Sequence, residues 1–224
     1  MMCNIWYIFV IVIAAISLLI SSFILYRGNN KGVLLFGWIF TAVALYRAIL
    51  PTMYEKRTVW YETPANSTMV VRLIALVAEV CFAFLVFYVY KSKGVIVMPF
   101  LVLIIVAQFF ATTGAYTAYN WLFCIEESLW ALAGLILLIY TFYLKNSNFK
   151  SVMITSLLAS LIFVTFSLIE RWSSNLGKNS DRSWVSFDNK QRSCQKYGTV
   201  FLIWHASYFT VMAILVVYLQ MQVM

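Results

Sequence analysis

Long apolar runs recur along the whole of this 224-residue chain, and each is too long and too free of charge to be hidden inside a water-soluble fold. Ile5 to Tyr26 is the first. At about 1.5 Å per residue it is long enough to cross the roughly 30 Å hydrocarbon layer of a bilayer as a helix. Further runs extend from Val33 to Leu50, Met69 to Tyr90, Val95 to Ala115, Asn120 to Tyr143, Ser151 to Glu170 and Gly198 to Leu219. The composition agrees, with 63% hydrophobic and only 11% charged residues, against about 45–50% and about 25% in ordinary soluble domains. The expected fold is an all-α membrane protein, a bundle of seven transmembrane helices forming one polytopic domain over residues 1–224.

Helices are the economical choice because the runs are apolar on every face, whereas a barrel strand alternates polar and apolar residues over about ten positions. Residues Met1 to Asn4 carry no basic side chain and no small-residue cleavage site follows, so the first run is expected to be a retained span. The connections fall into two alternating kinds. Arg27 to Lys31, Lys91 to Gly94 and Lys145 to Lys150 are short and basic, without acids; Pro51 to Thr68 and Arg171 to Tyr197 are longer and mixed in charge. Alternation puts the two kinds on opposite sides of a membrane. Because Arg27 and Lys31 follow the first span and no basic side chain precedes it, the N-terminus is expected outside or in a lumen.

The net charge of +8 is read as topology signal and lipid-headgroup contact, and no nucleic-acid partner is expected. Cys3, Cys81, Cys124 and Cys194 form no CxxC pair and no metal-ligand spacing. Cys124 and Cys194 approach the same side and make a candidate disulfide, although free thiols are the expected state. Asn66-Ser67-Thr68 is a glycosylation acceptor triplet in a loop expected outside, which makes Asn66 a candidate site.

Ionisable residues inside a span cost at least about 2.5–3.5 kcal/mol each, so they are expected to face protein or water. Here they are Arg47, Arg72, Glu79, Glu126, Glu127 and His205. Counted from the outer ends at about 1.5 Å per residue, Arg47 and Arg72 lie about 5 Å deep, Glu126 about 9 Å, His205 about 10 Å and Glu79 about 15 Å. All fall in one half of the bilayer, which predicts a single polar cluster or an outward cavity. Arg72 and Glu79 are seven apart and share a helix face, as do His205 and Tyr208. Glu126 and Glu127 point about 100° apart, so one of them at most looks straight inward.

Three kinds of function fit this pattern. The first is solute or ion handling or ligand sensing, with membrane lipids around the chain and a small solute, proton or ion as partner. A second is a structural subunit of a membrane complex, in which the same arginines and glutamates tie helices together. The third is an intramembrane lipid-modifying enzyme using Glu126 or Glu79 with His205; the balance leans away from an enzyme. No metal site is expected, since one histidine beside two carboxylates lacks a ligand pattern. The last span, Gly198 to Leu219, has no lysine to hold retinal as a Schiff base. It also carries Phe201 and His205 where ceramidase-like hydrolases carry His-x-x-x-His, and no Asn-Pro-x-x-Tyr of the G-protein-coupled receptors.

Overall fold

A computed structural model describes residues 2–53, 58–59, 61, 63–117, 119–175, 190–191 and 208–224. Among the described residues the fold is helical, and five helices are long and apolar enough to cross a membrane. These are α1 (Met2–Arg27), α2 (Lys31–Ile49), α3 (Thr68–Ser92), α4 (Met98–Thr117) and α5 (Asn120–Phe142). They are followed by α6 (Ser147–Asn175), a π-helical turn (Tyr208–Met212) and α7 (Ala213–Met221). The last two of the seven expected crossings appear as shorter apolar stretches, Ser147–Ile162 and Thr210–Met221. Much of the expected run from Gly198 to Leu219 lies outside the described residues.

Local chemistry sets the helix ends. Asn30 caps α2 by accepting from the Val33 N–H, Ser67 caps α3 by accepting from Val70, and the Asn146 side chain accepts from Phe149 at 2.9 Å at the start of α6. Each supplies an acceptor to backbone donors that a helix leaves unpaired. The short basic connections work on the opposite ends. Lys31 Nζ donates to the Leu25 and Tyr26 carbonyls that close α1, and Lys150 Nζ to the Phe142 carbonyl that closes α5, at 2.7 Å. A cation there also meets the negative end of the helix dipole. After α3 the chain reverses at Gly94, whose φ of +81° favours glycine.

Each helix from α1 to α6 packs on its neighbours in sequence, and α7 returns to pack on α1 and α2. The central member is α3. Its Phe82 meets Phe40 of α2, Phe100 of α4 and Trp130 of α5, with ring centroids 5.5, 6.5 and 6.3 Å apart. The outside is apolar as well: Leu19, Phe23, Phe109, Ile139 and Ile162 are all exposed. A water-soluble monomer rarely presents so much contiguous hydrocarbon, whereas lipid requires it.

One end of the bundle is capped by short extended segments of two residues each. Segment β1 (Thr52–Met53) pairs antiparallel with β2 (Thr58–Val59), and β2 pairs in parallel with β3 (Lys190–Gln191). The connection after α2 thereby touches the connection after α6. Tyr7 near the start of α1 donates to the Ile49 carbonyl at 2.6 Å, fixing the first and second helices at this same end.

Candidate functional site

The charged residues of the second, third and fifth helices meet just beneath that cap. Arg47 stands in the last turn of α2, Arg72 in the second turn of α3, Glu79 two turns further along α3, and Glu126 in the second turn of α5. Side chains on a helix lean toward its N-terminus, so Glu79 tilts back toward Arg72 and the seven-residue separation closes. Arg72 Nη2 lies 3.4 Å from Glu79 Oε2, while Arg47 Nη1 approaches the other carboxylate oxygen at 3.7 Å. Arg72 Nη1 also lies 3.9 Å from Glu126 Oε1. The result is a run of alternating charge, Arg47, Glu79, Arg72, Glu126, reaching from α2 through α3 to α5.

Gln108 of α4 completes the arrangement. Its Oε1 accepts a hydrogen bond from Arg72 Nη2, so a single guanidinium contacts three helices. Gln108 is 2% exposed and Arg72 1%. Charges this deep are tolerated only when paired, and the two arginines and two glutamates balance formally. Their separations of 3.4–3.9 Å exceed the roughly 2.7–2.9 Å of a tight charge-assisted hydrogen bond. Coulomb attraction therefore holds the run together more than bidentate geometry does. Exposure rises toward α5, where the Glu126 side chain is 14% exposed.

The remaining predicted site residues are distributed as follows. Glu127 is partly buried beside Glu126 on α5, and Cys124 is buried one turn earlier. Tyr208 opens the π-helical turn. His205 and Cys194 lie outside the described residues, so the His205–Tyr208 face and the Cys124–Cys194 pair do too. Among the described residues no three His, Cys, Asp or Glu side chains gather where they could hold a metal ion.

Asn66, the candidate glycan acceptor, takes part in the packing of the cap. It is fully buried in the 3-10 turn Pro64–Asn66. Its Oδ1 accepts from Thr52 Oγ1 at 2.7 Å and its Nδ2 donates to the Tyr61 carbonyl at 3.1 Å. Both polar atoms of the amide are thus engaged within the fold. The amide holds the cap against the start of α3, helped by Tyr46, which donates to the Ala65 carbonyl.

Gln108 was not among the expected site residues, because a search for ionisable groups passes over an amide. The available signal was its position as the single polar side chain with an amide between Met98 and Ala111. Compared with known protein families, curated proteins and solved structures, the chain matches none.

Proposed function

We propose that this chain is a seven-span membrane protein of the solute-handling, ion-handling or ligand-sensing class, with its N-terminus outside and its working groups in the run Arg47, Glu79, Arg72, Glu126. The observation that carries the reading is that this run crosses three helices and is most exposed at Glu126. A proton or cation taken up by Glu126 or Glu79 would release a guanidinium from its partner and loosen one helix against another. That is a local charge change coupled to packing, the general basis of a switch or gate. The test is proton or monovalent-cation flux in vesicles containing the purified protein and a pH-sensitive dye. Flux is expected to be lost in Glu79→Gln and reduced in Glu126→Gln; flux unchanged in both variants would overturn the proposal.

A second reading, a structural subunit of a membrane complex, is favoured by the contact of Arg72 with acceptors on α3, α4 and α5. On that reading the charges only tie helices. It predicts that the double variant Arg47→Gln/Glu79→Gln folds with every assembly property of the parent, and that the protein purifies with a partner instead of as a dispersed monomer.

A further inference from the structure

We infer that the buried polar groups of Gln108 and Thr112, one turn apart on α4, form a binding site for internal water. The starting point is the orientation of Gln108. A guanidinium only donates, so the amide atom facing Arg72 must be Oε1, and Nε2 points the other way. That nitrogen is buried and finds no acceptor among the described residues. Thr112, one turn further along the same face of α4, has a buried hydroxyl in the same condition.

The hydroxyl of Thr112 departs from the habit of its neighbours. Thr113 and Thr117 on α4, and Ser128 and Thr141 on α5, each donate to the carbonyl four residues back, at 2.7–2.8 Å. This is the usual way for a helix in lipid to satisfy a hydroxyl. Thr112 forgoes it and leaves its oxygen beside the Gln108 amide. Across the interface, Thr68 is fully buried and lies one turn from Arg72 on the same face of α3. Since α3 and α4 run antiparallel through the short Gly94 reversal, the first turns of α3 face the last turns of α4.

The groups that call for a ligand are thus the Gln108 amide donor and the Thr112 hydroxyl on one face of α4, with the Arg72 guanidinium engaged by the Gln108 oxygen. A buried N–H and a buried hydroxyl without partners each cost free energy that a bound ligand removes. Water fits because it accepts from Gln108 Nε2 while donating to Thr112 Oγ1, meeting the two or more partners that an internal water needs. A small anion would also accept from these donors. The formal balance of Arg47 and Arg72 against Glu79 and Glu126 leaves it without a surplus positive charge, so the observations favour water. The site stands independently of whether the chain moves ions; on the proton-handling reading above it supplies the outer end of the path.

The test is the sign of a stability change in purified protein. Replacing an unpartnered buried hydroxyl by a methyl is neutral or stabilising, whereas replacing one that binds water is destabilising. Thr112→Val is expected to lower Tm by about 2–4 °C, Thr112→Ser to retain most of the parental Tm, and Thr113→Val to serve as a control with a smaller effect. A Tm at or above the parent in Thr112→Val overturns the inference. Exchanging chloride for gluconate at fixed ionic strength should leave the parental Tm unchanged; a chloride-dependent rise that Thr112→Val abolishes makes the ligand an anion and overturns the water assignment. Should Thr112→Val fail to fold, a side-chain-resolution map of the parent decides: density between Gln108 and Thr112 is expected, and its absence there refutes the site.

Discussion

Glu79 is held from two sides, by Arg47 of α2 at 3.7 Å on one carboxylate oxygen and by Arg72 of its own helix at 3.4 Å on the other. Because each arginine shares that carboxylate and Arg72 also faces Glu126, no pair in the run is isolated. A simple charge swap between two partners would place like charges side by side. Neutralisation in balanced pairs is the cleaner probe.

Glu79→Gln removes the carboxylate that Arg47 and Arg72 share and is expected to cost about 3–5 kcal/mol, the usual penalty for breaking a buried pair. Arg47→Gln/Glu79→Gln removes one charge of each sign and leaves Arg72 with Glu126. The double variant is therefore expected to be more stable than Glu79→Gln alone, a coupling that thermal unfolding of the four proteins in the cycle measures directly. Additive losses would show that Arg47 and Glu79 do not interact.

Gln108→Leu removes the acceptor that α4 offers to Arg72 while preserving the apolar bulk of the helix. A hydrogen bond to a charged group contributes about 1.5–3 kcal/mol, and that is the expected loss. Gln108→Glu is expected to fold worse than Gln108→Leu despite keeping an acceptor, because it adds an unbalanced negative charge to a formally neutral run. Unfolding temperatures of the two variants, compared in one detergent, check the order.

How much of this was legible beforehand differs by element. Five of the expected spans were readable because hydrocarbon immersion imposes about twenty predominantly apolar residues wherever it occurs, and the Arg72–Glu79 contact because seven residues return a helix to the same face. Helix ends were less so. The sixth helix starts at Ser147 and not Ser151 because the Asn146 side chain caps it and Lys150 reaches back to Phe142, interactions that polarity alone assigns to a loop. The packing of Asn66 was hidden for a related reason: the triplet Asn66-Ser67-Thr68 has the form of a glycan acceptor, while its partners Thr52 and the Tyr61 carbonyl are brought there only by the fold. Which arginine meets which glutamate depends on α3 standing between α2 and α4, an order that no single-helix pattern contains.

At the other end of the bundle, Gly37 of α2 faces Gln220 of α7, whose Nε2 donates to the Leu34 carbonyl at 2.7 Å. A methyl group at Gly37 would collide with the buried Gln220 side chain. Gly37→Ala is thus expected to break the Leu34 bond and loosen α7, at a cost of about 1–3 kcal/mol typical of overpacking. Adding Gln220→Ala should recover part of the loss by opening the same space. Faster proteolysis of the C-terminal segment in Gly37→Ala, reversed in the double variant, is the direct readout.

The pairing of Thr58–Val59 with Lys190–Gln191 bears on the path of the chain through the bilayer. Two extended segments can share hydrogen bonds only in one compartment, and an even number of crossings must therefore separate them. Helices α3, α4 and α5 are each long and apolar enough to cross, and the proposed seven-span path makes α6 the fourth crossing. Single cysteines at Thr58 and Lys190, in a background without the native cysteines, are expected to react with a membrane-impermeant maleimide from the same face. Cysteines at Asn29 and Asn148, in the short basic connections, should react from the opposite face. Labelling of Thr58 and Lys190 from different sides would make the pairing impossible and remove one crossing between α3 and α6, and with it the common leaflet that brings Arg47, Arg72, Glu79 and Glu126 together.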